Sequence, residues 1–328
     1  MKKIVSLLLV LTLILSAFSL AGCSDKSDGE GEGLTVCVVV SSAFGDKSFN
    51  DSAKEGADKL KEDYGVTVKT IECQQENFKQ RMMEAAEESD VVVPVGWEFY
   101  EISDVAKEYP DTKFIWVDNP AEGIEDLPNV LCILYAQNEG SFLAGYIAAS
   151  MSETGVVGAV GGEDNDTIND FLIGYKEGAQ YANPDIKVVT NYANTYEDPA
   201  KGKECALALN SQGADVVFAV AGNTGNGVFA AAKEKGFYVI GVDQDQKLSA
   251  PEYDEQIICS MKKEVGTSVY DTVKALIEDD TWDGGRIWTA DMATGYVSMA
   301  YGDENSTQQV SDDLKKATDD IQNKIVAG

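Results

Sequence analysis

The chain contains no histidine among its 328 residues. That removes Ser-His-Asp and Cys-His catalysis, histidine metal ligation and imidazole proton relays together. Chemistry is left to carboxylates, lysines, tyrosines and thiols. Several carboxylates stand beside aromatic rings: Asp46-Lys47-Ser48-Phe49-Asn50, Gly96-Trp97-Glu98-Phe99-Tyr100, Asn194-Thr195-Tyr196-Glu197-Asp198 and, without a ring, Asp118-Asn119-Pro120 and Gly241-Val242-Asp243-Gln244-Asp245-Gln246. Rings can sandwich the faces of a flat ligand while carboxylates accept hydrogen bonds from its hydroxyl groups, so this inventory suits capture of a flat, polar molecule.

Each segment also has a plainer reading. Asp46 to Asn50 fits a helix N-terminus, with Ser48 or Asn50 as the cap and Phe49 as a hydrophobic staple. The run Gly222 to Gly227 could cradle a phosphate at a helix start, but it has neither Gly-x-Gly-x-x-Gly nor a Walker Gly-Lys-Thr ending. Asp243 and Asp245 make half of a calcium loop whose glycine and distal glutamate are missing. Trp97 is either a pocket wall or core, and of the adjacent Lys262 and Lys263 at least one reads as a solvated helix-start residue. No metal site and no cofactor motif emerges.

The elements that must position these loops follow from Leu34 onward, where short β-branched runs alternate with helical spacing. Strands are expected at Leu34–Ser41, Val66–Ile71, Val91–Val95, Phe114–Asp118 and Val130–Tyr135, with helices at Asn50–Tyr64, Asn77–Glu88 and Tyr100–Tyr109 between the first four. After a helix over Glu139–Ser152, a second series has strands at Gly155–Val160, Lys187–Thr190, Val216–Val220 and Tyr238–Val242, with helices at Ile168–Ala182, Lys201–Gln212 and Gly227–Lys235. Strands buried on both faces and joined by helical crossovers imply two doubly wound parallel sheets, an α/β protein of two lobes, with the loops above at the carboxyl ends of the strands, where such sheets bind ligands. The tail offers a strand at Ile257–Met261, a helix at Lys263–Glu278, a strand at Arg286–Thr289 and a helix at Ser311–Lys324, too little for a third domain, so it returns to complete both lobes. The expected division is 34–137 plus about 262–290 for the N-terminal lobe and 138–261 plus about 291–328 for the C-terminal lobe.

Charge and cysteine usage narrow the partners. Lys and Arg number 26 against 56 Asp and Glu, a formal charge of −30 that repels phosphate backbones and argues against a nucleic-acid partner. Lys2 and Lys3 precede an uncharged apolar run from Ile4 to Leu20, which ends on Leu20-Ala21-Gly22-Cys23. A short apolar stretch behind a basic start is a secretory signal. Its ending resembles a bacterial lipobox, which implies that residues 1–22 are cleaved and Cys23 is acylated; an ordinary signal peptide or a membrane helix is the plainer alternative. Residues 23–33 are polar and glycine-rich and read as a tether, placing the mature chain on the extracytoplasmic face of the cell membrane. The remaining cysteines, Cys37, Cys73, Cys132, Cys205 and Cys259, form no Cys-x-x-Cys pair, lie in or next to apolar runs and read as small hydrophobes.

Taken together, Asp46-Lys47-Ser48-Phe49-Asn50, Glu139-Gly140-Ser141-Phe142-Leu143-Ala144-Gly145-Tyr146, Gly161-Gly162 followed by Phe171, Gly174 and Tyr175, Ile240-Gly241-Val242-Asp243-Gln244-Asp245-Gln246, and Ser260 followed by Lys263 resemble the basic membrane protein family over nearly all of the mature chain. The resemblance implies a type I periplasmic-binding-protein fold that closes on a purine nucleoside and hands it to the permease of an ABC transporter. It implies that Phe49 stacks on the base with Asp46 and Asn50 beside it, that Tyr196 takes the second stacking position, and that Asp243 and Lys263 hold the ribose end. Gly222 would allow close backbone approach, Trp97 would narrow the pocket in place of the more usual phenylalanine, and Asp118 follows from strand position. The loop Glu163-Asp164-Asn165-Asp166 lacks the proline commonly found there. A non-enzymatic receptor is the expected class. The alternatives are an exported, carboxylate-based nucleoside hydrolase or glycosidase, and a receptor of the same fold for riboflavin or another ligand.

Overall fold

A computed structural model describes residues 33–74 and 76–328. Residues 1–22, read above as a signal, and Cys23 lie outside the described residues.

Valine-rich runs with no polar alternation build the centre of each sheet, because helices cover both faces. In β1 (Thr35–Val40), Val36 to Val40 are all buried, as is every residue of β3 (Val91–Val95). With β2 (Thr67–Glu72), β4 (Lys113–Val117), β5 (Val130–Tyr135) and a late strand β11 (Arg286–Ala290), they form a parallel sheet in the order β11-β5-β4-β3-β1-β2. The second sheet comprises β6 (Val156–Gly161), β7 (Lys187–Tyr192), β8 (Val216–Val220), β9 (Tyr238–Asp243), β10 (Ile257–Lys263) and β12 (Val297–Ala300), in the order β12-β10-β9-β8-β6-β7. In each sheet the strand order reverses beside the first strand, between β1 and β3 and between β6 and β8. The crevices that bind ligands in open α/β sheets lie at those two points, beyond the carboxyl ends.

The strand β12 has no counterpart in the sequence reading, and it is antiparallel: Lys263 faces Val297 and Ser260 faces Ala300. Its direction follows from the path of the chain. Strand β10 leaves the second lobe at Lys263, the chain then builds α9 (Val265–Asp279) and β11 in the first, and a segment returning beside β10 must run the opposite way. The expected helix start at Lys263 is likewise shifted. Lys262 and Lys263 both belong to β10, and strand alternation sends them to opposite sides.

The crossings between lobes brace one another. The Ala136 N–H donates to the Ala290 carbonyl at 3.0 Å and the Glu264 N–H to the Tyr296 carbonyl at 2.9 Å. Within the second lobe, α4 (Gln137–Met151) packs along α5 (Asp166–Ala182) at close range. A Cβ added at Gly145 would lie 1.9 Å from the Tyr175 carbonyl oxygen, and one at Gly178 would lie 1.8 Å from that of Phe142. Other helices are α1 (Phe49–Tyr64), α2 (Phe78–Glu87), α3 (Ile102–Glu108), α6 (Pro199–Ser211), α7 (Gly225–Lys235), α8 (Gln246–Ser249) and α10 (Asp312–Ala327). The five cysteines among the described residues are free thiols, and all but Cys205 are buried.

Candidate functional site

A cavity of about 620 Å³ opens where the carboxyl ends of the two sheets face each other, within the roughly 300–1,000 Å³ usual for small-molecule sites. Asp46, Phe49, Asn50, Trp97, Asp118, Tyr196, Gly222, Asp243 and Lys263 all line it.

On the first lobe the loop after β1 leads into α1. The Asp46 carboxylate accepts backbone N–H bonds from Ser48 at 3.0 Å, Asn50 at 2.9 Å and Asp51 at 3.1 Å. It therefore occupies the helix N-terminus, where orphan donors and the helix dipole favour an anion. Ser48 takes the N-cap position that the plainer sequence reading offered, but its side chain makes no capping bond, and Asn50 lies inside the helix. Asn50 Nδ2 instead donates to Ser42 Oγ and the Ala43 carbonyl, each at 3.0 Å, and the Ser48 hydroxyl donates to Asp243 on the other lobe. Burial pushes the Asp46 carboxyl up to about 7, while its backbone donors pull the other way.

Lys263 is 2% exposed and organises the floor of the cavity. Its Nζ is 2.6 Å from Asp118 Oδ2. Its ammonium also lies 4.6 Å from the ring centre of Phe49, 5.2 Å from that of Tyr135 and 5.3 Å from that of Phe171. Ring faces and a carboxylate together replace the water that a buried ammonium loses. Lys262, by contrast, pairs with Glu264 at 2.5 Å. Asp118 follows β4 and Asp243 ends β9, with φ of 75° and 67°. Left-handed backbone is uncommon for non-glycine residues, though Asp tolerates it better than most, and here it recurs at matching strand ends of both lobes. Burial raises the Asp243 carboxyl, opposed by the Lys263 ammonium and the Ser48 hydroxyl.

On the second lobe Tyr196 stands against the loop after β6. A Cβ on Gly162 would be 2.1 Å from Cε1 of its ring, so only glycine lets the ring sit there. Asn165 holds the tyrosine from the other end: its Nδ2 donates to the hydroxyl at 2.9 Å, while its Oδ1 caps α5 by accepting from the Ile168 N–H at 3.0 Å. The loop that lacks proline thus still supplies cavity residues. At Gly222 glycine serves a φ of +53°; the nearest atom a Cβ would meet is the Tyr196 carbonyl oxygen at 3.4 Å. Trp97, 46% exposed, stands on the cavity wall and is not core.

Glu98 is a cavity residue that the resemblance does not carry over. Burial raises its carboxyl, partly offset by its own backbone N–H and the Ser41 hydroxyl, with Glu163 and Asp118 adding like charge. Its position directly after β3, at the strand reversal, was the available signal. Phe171, on α5, was part of the recognised pattern, but only the fold brings its ring to Lys263.

Residues 34–328 match the family of PnrA-like ABC transporter substrate-binding proteins. The chain is 31% identical over 323 residues to basic membrane protein A of Borreliella burgdorferi, covering 97% of this chain and 93% of that one. To basic membrane protein D of Borreliella burgdorferi strain JD1 it is 33% identical over 293 residues, covering 87% and 82%. Among solved structures, an ABC transporter solute-binding protein from Aeropyrum pernix K1 superposes with a TM-score of 0.79 at 28% identity, over 90% of this chain and 92% of that one. A periplasmic solute-binding protein from Actinobacillus succinogenes with bound D-allose shares the fold at a TM-score of 0.63 and 15% identity, over 82% and 97%.

Proposed function

Because this chain belongs to the family of PnrA-like substrate-binding proteins of ABC transporters, we propose that it is a lipid-anchored extracytoplasmic receptor that captures a purine nucleoside and presents it to a membrane permease. The observation that carries the ligand reading is the pairing of two chemistries in one cavity. Phe49, Tyr196 and Trp97 offer ring faces, and Asp118, Asp243 and Lys263 gather at the buried floor. Phe49 and Tyr196 stack on the base, while Asp243 and Asp118 accept from the ribose hydroxyls. Lys263 donates to sugar oxygens while its pairing with Asp118 fixes the position of its ammonium. Asp46 sets the first turn of α1, and so the positions of Phe49 and Asn50. Gly222 brings backbone to the ligand and Trp97 narrows the mouth. The lobes are 34–137 plus about 264–290 and 138–263 plus about 291–328, the crossing lying just past β10 and not at 262, and the ligand is closed between them. No cofactor takes part.

The anchor reading rests on Leu20-Ala21-Gly22-Cys23. One measurement addresses both parts: native mass spectrometry of the protein extracted from membranes. The expected species begins at an acylated Cys23 and carries a purine nucleoside. A bound sugar without a base would overturn the ligand reading, an unmodified N-terminus the anchor, and release of free base from added inosine the receptor class.

A further inference from the structure

The loop between β1 and α1 belongs to the first lobe, yet several of its hydrogen bonds run to the second. The Lys47 carbonyl accepts from Gln246 Nε2 at 2.8 Å and from Ser249 Oγ at 3.3 Å. Asn226 Nδ2 approaches the Asp46 carbonyl at 3.4 Å, and Lys47 Nζ pairs with Glu252 Oε1 at 2.5 Å across a half-exposed rim. At the buried end of this clasp the Ser48 hydroxyl donates to Asp243 Oδ2. Ser48 is fully buried and Asp243 nearly so.

Two features make that last bond more than a lobe contact. Ser48 stands at the N-cap of α1, where a hydroxyl ordinarily serves the helix, but Asp46 has taken the orphan backbone donors and leaves the serine available. Asp243, for its part, is a buried carboxylate that feels the Asp118 carboxylate from the first lobe and the Lys263 ammonium from the neighbouring strand β10. It needs a donor to hold one orientation, and the donor comes from across the cleft. When the lobes part, that donor is withdrawn.

We propose that Ser48 is a positioning residue whose hydroxyl orients the Asp243 carboxylate toward the ligand only in the closed form, so that lobe closure and the grip on sugar hydroxyls are one event. The proposal rests on the nucleoside reading above. It accounts for selectivity in closure: a ligand that lacks hydroxyls for Asp243 gains nothing from the orientation and stabilises the closed form less.

The test measures dissociation rates and affinities of guanosine and 2′,3′-dideoxyguanosine for the wild type, Ser48→Ala, Ser48→Thr and Lys47→Ala, with the melting temperature of each unliganded protein. Ser48→Ala should weaken guanosine about tenfold, equivalent to about 1.4 kcal/mol, and leave dideoxyguanosine within about twofold. Ser48→Thr, which keeps the hydroxyl, should recover part of the loss. Lys47→Ala, which removes only the rim pair, should speed release of both ligands by the same small factor. Equal losses of both ligands in Ser48→Ala would reduce Ser48 to a lobe contact and sink the proposal. A wild type that binds neither ligand would overturn the nucleoside reading itself, a different result from the first.

Discussion

Asp46 shows how far a single side chain can depart from its residue type. A carboxylate at a helix N-terminus is favoured by the dipole and by three backbone donors, yet burial dominates and raises its carboxyl to about 7. The consequence for stability has a definite sign. Between the ordinary value near ~4 and about 7 the folded chain holds a proton that the unfolded chain has released, so this group's contribution is complete below ~4 and is lost as pH rises through about 7. Asp46→Asn keeps an acceptor for the helix and removes the titration. Urea unfolding at pH 4.5 and pH 8 should show wild-type stability falling relative to the variant at the higher pH, by about 1–3 kcal/mol. Parallel pH profiles for the two proteins would assign the burial of Asp46 no energetic weight. The sequence made Asp46, Phe49 and Asn50 visible as a cluster, but not this division of labour. Capping rules look to the residue next to the helix, which is Ser48, and its hydroxyl is drawn off by a residue 195 positions away. Glu98 was equally hard to single out, since burial that makes a carboxylate notable is set by the fold and not by its neighbours in sequence.

At the scale of elements, strands with strong β-branched runs were legible almost to the residue, as in Val91–Val95 and Val216–Val220. What escaped were elements whose identity is imposed from outside. Val297–Ala300 is a four-residue segment that becomes a strand because β10 offers it an edge, and Lys262-Lys263 looks like a helix start until the strand beneath it is seen. The helix pair α4 and α5 has a different signature, small residues where the backbones meet. Gly178 sits where a Cβ would be 1.8 Å from the Phe142 carbonyl oxygen, a rigid backbone atom that cannot turn aside. Gly178→Ala must therefore push the helices apart, and overpacking of this kind costs about 1–3 kcal/mol even though alanine is the better helix former. A chemical-denaturation midpoint below that of the wild type is expected, together with a lower melting temperature. An unchanged or higher midpoint would mean that α4 separates from α5 without loss, and that their close approach contributes little to the second lobe.

At the scale of the whole molecule, charge and architecture act on the same ligand. The chain carries a formal −30, and the cavity walls repeat that sign through Glu98, Asp118, Glu163 and Asp243, while the ammonium of Lys263 is held by Asp118. A neutral nucleoside entering between the lobes is indifferent to this field. A nucleoside monophosphate must bring a dianion into it, with Lys263 already committed and no preformed cationic cradle suggested by the lining residues. Exclusion of the phosphate then has a long-range part, which ionic strength can remove, and a local part, which it cannot. Screening lengths shrink from about 30 Å at 0.01 M salt to about 3 Å at 1 M. Titration calorimetry of guanosine and guanosine monophosphate across that range should give nucleoside affinities that change by less than about twofold, because no net charge is transferred. The monophosphate should bind far more weakly at low salt and recover part of the gap as salt rises, the remainder measuring the cost of desolvating the phosphate among carboxylates. A monophosphate that binds more tightly than the nucleoside at low salt would contradict both the field and the cavity chemistry. A gap that does not move with salt would place the whole of the discrimination at the walls of the cavity.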